Sequence, residues 1–229
     1  MTAKILSLSD KQVDFIYSSQ VKSRFGDVDL ILGCGDLPYF YLEYAVSMLN
    51  VPLYYVRGNH SNLVEHTIVG PKTHPHGGID LHRKVILEKG LIMAGVEGSL
   101  RYRQGPFQYT QSEMWLHVLR IVPRLIRNRA RYGRYLDIFI SHAPPWGIHD
   151  QPDLPHQGIK AFRWLLETFR PRYHFHGHIH VYRNDTQTVT NYQSMTVVNT
   201  YGFAETLLGP NDRDATSIVE ENDSVIHSY

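Results

Sequence analysis

The sequence predicts an α/β fold, and two observations support that prediction. First, strand-like apolar runs alternate with segments that have helical spacing through the first sixty residues. Second, each apolar run ends in a polar side chain that can carry chemistry. Strands that alternate with helices typically form a parallel sheet, and functional groups collect at the carboxyl ends of its strands. We therefore expect a parallel α/β core with a site at one edge.

The N-terminal elements follow from apolar patterning. Three apolar runs predict strands, over residues 4–10, 28–36 and 52–56. Apolar residues at helical spacing predict two helices between them, over residues 13–24 and 41–49. The three strands lead into Asp10, into Gly35-Asp36 and into Gly58-Asn59-His60.

The rest of the chain is less regular. A stretch rich in Gly, Pro and His, 70–82, is expected to be a loop that could lie over the strand ends. A hairpin is predicted at 84–87 and 91–95, followed by a long helix, 111–131, which Pro123 could break. A strand at 135–142 ends in His142, and a helix follows at 158–169. A strand at 173–176 then leads to Gly177, and closing β-structure includes 193–199.

Composition limits the function classes. The chain has 229 residues, 42% of them hydrophobic, and a net charge of +1, so we expect one domain spanning 1–229, with 210–229 a loosely held tail. The near-neutral charge disfavours broad nucleic-acid binding. The single cysteine, Cys34, rules out an intramolecular disulfide and fits the cytoplasm. No apolar run is long enough to span a bilayer.

The strongest local signal is Gly177-His178-Ile179-His180, which follows a short strand. The imidazoles of His178 and His180 would share a face in extended backbone. Histidine is the commonest metal ligand, so the pair is typical of half a metal site. Taken alone, the two histidines are better explained as part of a polar turn on the surface.

The ordered set of strand-end residues strengthens the metal hypothesis. Asp10, Gly35-Asp36, Gly58-Asn59-His60, His142 and the final histidine pair occur in one order, each after a strand. Together they resemble the calcineurin-like metallophosphoesterase family, from Asp10 to about His180. The resemblance implies a four-layer αββα sandwich, in which two mixed sheets pack face to face with helices outside.

The resemblance also implies a dinuclear metal centre. Asp36 would bridge two divalent ions, with Mn expected and Fe, Zn, Ni or Co as alternatives. One ion would be held by Asp36, Asn59, His142 and His178, and the other by Asp10, Asp36 and His180. A metal-bridging hydroxide would attack phosphorus. His60 would contact the phosphoryl group and donate a proton to the leaving oxygen.

Two positions depart from the family pattern. Gln12 stands where the family usually has a histidine, and its amide is a weaker ligand for transition metals, so we expect the Asp10 ion to be held less tightly. Asp14 is another nearby candidate ligand. Ser61 stands where an acidic residue often orients the histidine before it. Both departures predict a modified site that keeps its bridging ligand.

Three further features carry alternatives. Just after the bridging carboxylate come three aromatic residues, Tyr39, Phe40 and Tyr41. We expect one of them, with Tyr39 among the candidates, to face the site and form a wall for a nucleobase or an aryl ester. The alternative is that all three begin the helix and fill the core. Arg101 and Arg103 could clamp a phosphate. Six arginines in 120–134 form either a solvated helix face or a docking face for an anionic lipid or nucleic acid.

These features predict a metal-dependent phosphodiesterase that acts on a small phosphate ester. Within the same class, the alternatives are a phosphomonoesterase and a nucleotide pyrophosphatase. From another class, a metal-binding or regulatory scaffold with little turnover would tolerate the changes at Gln12 and Ser61. His60 discriminates between the classes, because a scaffold has no need of a proton donor beside its metals.

Overall fold

The computed structural model describes residues 2–68, 70–183 and 185–209, so the predicted tail at 210–229 lies outside the described part. Helices are α1 (Gln20–Phe25), α2 (Tyr39–Leu49), α3 (Gln111–Tyr132) and α4 (Lys160–Phe169). Strands are β1 (Ala3–Ser9), β2 (Leu30–Cys34), β3 (Leu53–Val56), β4 (Glu65–Thr67), β5 (Gly70–Lys72), β6 (Gly78–Asp80), β7 (Lys84–Glu88), β8 (Leu91–Val96), β9 (Ser99–Leu100), β10 (Gln108–Tyr109), β11 (Ile138–Ser141), β12 (Tyr173–His176), β13 (Val189–Tyr192), β14 (Met195–Asn199) and β15 (Gly202–Leu208).

The first large sheet has the spatial order β15-β1-β2-β3-β6. Strands β1, β2, β3 and β6 are mutually parallel, and β15 runs antiparallel to β1. The carboxyl ends of β1, β2 and β3 therefore lie side by side at one edge of the sheet.

The second large sheet has the order β13-β14-β12-β11-β8-β7. Its four central strands are parallel, and antiparallel partners flank them at both edges. Strands β11 and β12 are central, and their carboxyl ends lead into His142 and Gly177.

Three buried clusters show how the layers pack. One lies between the sheets and joins Leu32 and Tyr54 of the first sheet to Met93, Ile140 and Phe175 of the second. A second cluster packs α1 and α2 on the outer face of the first sheet, and a third packs α3 and α4 on the outer face of the second. This four-layer αββα arrangement confirms the predicted fold class.

Several predicted elements need correction. Helix α1 begins at Gln20, because the residues before it form turns in which Ser18 Oγ donates to the carbonyl of Phe15 at 2.9 Å. The predicted loop at 70–82 contains β5 and β6. Pro123 does not break α3. Pro123 is solvent-exposed, where helix carbonyls can tilt outward towards water.

The basic segment 120–134 lies mostly on α3, and Arg120, Arg124 and Arg127 are exposed. Among the described helices, none is both long and apolar enough to cross a membrane.

Candidate metal centre

The ends of five strands bring six of the predicted ligands to one place. Asp10, Asp36 and Asn59 follow β1, β2 and β3 of the first sheet; His142, His178 and His180 follow β11 and β12 of the second. Ligand atoms of Asp10, Asp36 and His142 lie within 4.8 Å of one another. The site therefore sits where the edges of the two sheets meet.

Three of these residues have left-handed backbone conformations. The φ angle is 61° at Asp10, 56° at Asp36 and 69° at His178. Each such conformation costs a non-glycine residue on the order of 1 kcal/mol, so the surrounding contacts must hold it. The strained residues thus stand just after strand ends, at positions predicted to bind metal.

Two glycines leave room for the carboxylates. A Cβ atom at Gly58 would collide with Asp36 Oδ1, and one at Gly177 would collide with Asp10 Oδ2. Both carboxylates therefore lie directly against the backbone of a neighbouring strand end. This close approach explains why each Gly precedes a predicted ligand in Gly58-Asn59 and Gly177-His178.

His142 is the centre of the site. It is fully buried, and three potential ligand atoms surround its Nε2 atom. Asp36 Oδ2 and Asn59 Oδ1 each lie 3.0 Å away, and His178 Nδ1 lies 3.2 Å away. One proton on Nε2 can be donated well to only one of these acceptors, whereas a cation can take all four atoms as ligands.

The outer nitrogens of both histidines are fixed by backbone carbonyls. His142 Nδ1 donates to the carbonyl of Cys34 at 2.9 Å, and His178 Nε2 donates to that of Pro155 at 2.7 Å. When a metal ion replaces the proton of His142, each ring is neutral and presents its other nitrogen, unprotonated, to the centre. Carbonyl partners of this kind orient metal-binding histidines in proteins.

The charges of the site favour the binding of a cation. Burial alone would raise the pKa of Asp36, but the charge and hydrogen bond of His142 lower it to about 2. Burial would lower the pKa of His142, but Asp36 raises it to about 9. The pKa of His178 falls to about 4 through burial and the charge of His142. The carboxylate thus stays ionised in a buried place, where a divalent cation can replace the proton of His142.

The second half of the site lies around Asp10. Its Oδ2 atom accepts a hydrogen bond from the backbone N–H of His178 at 3.0 Å. Its Oδ1 atom is buried and has no hydrogen-bond partner among the described residues; His180 Nε2 lies 3.8 Å away. A buried carboxylate oxygen without a partner costs free energy unless a cation or water satisfies it. The donor set around Asp10 therefore also fits a divalent ion.

His60 lies beside this centre, and two contacts position it. Its backbone N–H donates to Asp36 Oδ1 at 2.8 Å, and Arg103 Nη2 lies 3.1 Å from its Nδ1 atom. A guanidinium can only donate, so Nδ1 is the acceptor in this contact and the ring N–H lies on Nε2. The exposed Nε2–H is thus free to face a ligand.

Tyr102 is a site residue that the sequence did not suggest. The Asn59 amide nitrogen donates to the Tyr102 hydroxyl at 3.2 Å, which turns Asn59 Oδ1 towards His142. The only sequence signal was its position between the candidate phosphate-binding residues Arg101 and Arg103.

Three predicted residues, among those that the structure describes, make no hydrogen bond or ion pair with the predicted metal ligands. Gln12 is exposed, and its side chain has no hydrogen bond to another described residue. Tyr39 is buried, and its hydroxyl donates to the carbonyls of Asn62 and Thr73. Arg101 instead pairs with Glu113 at 2.9 Å.

The other changed position, Ser61, has a structural role. Its hydroxyl accepts from the backbone N–H of Gly58 at 2.9 Å and lies 3.4 Å from Asp36 Oδ1. Ser61 thus supports the turn and the carboxylate, while Arg103 contacts His60.

Comparisons with known proteins agree with this geometry. The sequence model of the calcineurin-like phosphoesterase family matches residues 5–182. The protein TT1561 of Thermus thermophilus has a similar structure, with a TM-score of 0.57 at 17% identity over 88% of this chain and 90% of its own. A second solved structure reaches a TM-score of 0.60 at 13% identity over 91% and 99% of the two chains. No curated protein matches the sequence.

The two solved structures show the shared fold, and the family match shows the chemistry. That match covers most of the chain and includes every strand end that contributes to the site. Members of the family typically bind divalent metals. The chain belongs to the calcineurin-like phosphoesterases and is a metal-dependent hydrolase of phosphoesters.

Proposed function

We propose that the protein is a phosphodiesterase with two divalent ions, manganese in the first instance. Asp36, Asn59, His142 and His178 would hold one ion, and Asp10, Asp36 and His180 the other. The observation that carries the proposal is that ligand atoms of Asp36, Asn59 and His178 all lie within 3.2 Å of His142 Nε2. Bound divalent ions neutralise phosphoryl oxygens and lower the pKa of the attacking water.

The protein's own groups complete the reaction. His60 presents its Nε2–H beside Asp36, where it can donate a hydrogen bond to an oxygen of the ester. To protonate the departing alkoxide, His60 would act as the imidazolium, with Arg103 turned away from Nδ1, and would return to the neutral ring as the alcohol leaves. Arg103 holds His60 through Nδ1 and adds one positive charge next to the phosphoryl group. Tyr102 keeps the Asn59 oxygen turned inward.

Charge favours a diester over a monoester. Besides the proposed ions, Arg103 brings one positive charge to the site through its contact with His60. One cation suits the single negative charge of a diester, whereas the dianion of a monoester typically requires a larger cationic clamp. A cytoplasmic location remains a prediction from the single cysteine.

The experiment compares bis(4-nitrophenyl) phosphate with 4-nitrophenyl phosphate, using protein stripped by EDTA and then reloaded with Mn²⁺. We expect hydrolysis only after reloading and a higher kcat/KM for the diester. Asp36→Asn should abolish turnover, while Asp27→Asn, at an exposed position paired with Lys4, should keep it. A preference for the monoester would contradict the diesterase proposal. Metal binding without turnover of any ester would support a scaffold.

A further inference from the structure

A cavity of about 560 Å³ opens directly beside the proposed catalytic groups. Asp36 and His60 form one end of its lining. Apolar side chains from the loop after β2, from α2 and from the segment leading into β4 form much of the rest: Leu37, Pro38, Phe40 and Val64. Its size is typical of a small-molecule site, and His60, the proposed proton donor, is part of its lining.

Phe40 is the aromatic part of this lining. It lies in the first turn of α2 and keeps 45% of its surface exposed. Tyr17 packs against it at a centroid distance of 5.5 Å and is itself 4.6 Å from Tyr44, so the ring is supported by neighbours. Phe40 and Val64, which is 39% exposed, both line the cavity, so a ligand bound there would cover apolar surface from both side chains.

The opposite wall is tied to α2. Glu65 in β4 accepts the backbone N–H of Tyr39 with both carboxylate oxygens at 3.0 Å, and Lys72 in β5 pairs with Glu43 of α2 at 2.5 Å. The β4–β5 hairpin is thus anchored at two points, and the cavity between it and Phe40 is formed before a ligand binds. A preformed cavity favours a rigid, flat group.

The charges of the lining exclude one class of leaving group. The proposed ions would neutralise Asp36, which leaves Glu65 as the acidic side chain of the lining away from them, and none of the described lysine or arginine side chains lines the cavity. A second phosphate or a carboxylate would therefore meet repulsion without a compensating cation. This disfavours pyrophosphate substrates, whose leaving group carries further phosphate.

We infer that this cavity binds an uncharged aromatic ring on the leaving alcohol of the substrate, stacked on Phe40. The inference rests on the proposed phosphodiesterase function and narrows its substrate class to diesters of ring-bearing alcohols, either aryl-substituted alcohols or nucleosides.

The test uses three methyl phosphate diesters with primary alkoxide leaving groups: 2-phenylethyl, its ring-carboxylated analogue, and butyl. We expect kcat/KM to be about tenfold higher for phenylethyl than for butyl, as one aromatic stacking contact allows. The carboxylated ester should not exceed butyl. A nucleoside 5′-methyl phosphate shows whether the cavity prefers a nucleobase or a phenyl ring. The inference is supported if both ring-bearing esters have a higher kcat/KM than the butyl ester, in either order.

Variants test whether Phe40 is responsible for the preference for ring-bearing esters. Phe40→Ala should bring the phenylethyl-to-butyl ratio close to one, and Phe40→Tyr should retain it. Leu119→Ala, which removes an exposed apolar side chain from α3, should also retain it. A wild-type ratio near one, an unchanged ratio in Phe40→Ala, or a preference for the carboxylated ester would overturn the ring subsite while leaving the diesterase intact. Failure to hydrolyse any ester would instead overturn the diesterase proposal, and the subsite with it.

Discussion

His142 shows how single residues define this site. It is fully buried, its Nδ1–H donates a hydrogen bond to the Cys34 carbonyl, and its Nε2 faces Asp36, Asn59 and His178. Without metal, a proton on His142 compensates the buried carboxylate, which is why its pKa rises to about 9. Metal binding and protonation therefore compete at this atom, and acid should weaken metal binding.

His60 can be tested by the choice of leaving group. If His60, as the imidazolium, protonates the departing oxygen, His60→Ala should reduce hydrolysis of an alkyl diester by about 10²–10⁴-fold. A nitrophenyl diester, whose leaving anion is already stable, should be affected only modestly. Steady-state rates on both esters, with metal content measured in parallel, provide the comparison. Equal losses would indicate a role in phosphoryl binding, and loss of metal would make His60 a ligand.

Tyr102 is expected to act through Asn59. Tyr102→Phe removes the oxygen that accepts the Asn59 amide, so the amide is free to rotate. Changes of this kind typically cost 10–100-fold in metal affinity or activity, and we expect roughly a tenfold weaker Mn²⁺ affinity. Calorimetric titration measures it, with Tyr132→Phe at the end of α3 as the matched control. An affinity equal to that of the wild type would show that Asn59 is held by other contacts.

At the scale of elements, the strand ends were predictable and the covering segments were not. Asp10, Asp36 and His142 follow long apolar runs, so their placement follows from the topology of parallel sheets. The β4–β5 hairpin consists of two three-residue strands with little apolar alternation. Contacts between Glu65 and the backbone of Tyr39, distant in sequence, fix it, and no local pattern reports them.

The packing of the two sheets can be tested at Gly95 in β8. A Cβ atom there would lie 2.8 Å from Val56 Cγ1 and 2.9 Å from Leu81 Cβ. Gly95→Ala should therefore destabilise the fold by about 1–3 kcal/mol, as overpacking does. Urea denaturation measures this change. Gly209→Ala is the control, since a Cβ there meets no described atom within 4 Å. Equal stability of the two variants would mean that the sheets are less tightly packed than the structure shows.

At the scale of the whole molecule, buried neutral histidines make stability depend on pH. Burial, and then the charge of His149, lower the pKa of His174 to about 3, against 6.5 ordinarily. Below pH 6.5 the unfolded chain binds a proton that the folded chain does not, so this contribution to stability is present above pH 6.5 and is lost as pH falls.

The variant His174→Asn isolates this contribution. Between about pH 7.5 and 5.5, the free energy of unfolding should fall by about 1.4 kcal/mol less in the variant than in the wild type. Urea denaturation in EDTA at both pH values provides the comparison. Equal losses in the two proteins would show that His174 titrates alike in the folded and unfolded chains.

The central claim is a pair of metal sites that share Asp36, and titration of Mn²⁺ into EDTA-treated protein tests it most directly. We expect two ions to bind in two distinguishable steps, with the weaker ion held by Asp10 and His180, because Gln12 is exposed and offers only a neutral amide in place of an imidazole. Asp10→Asn should weaken only the second step, and Asp36→Asn should impair both. Binding of a single ion, uptake of two ions in one tight step, or equal effects of the two substitutions would contradict it.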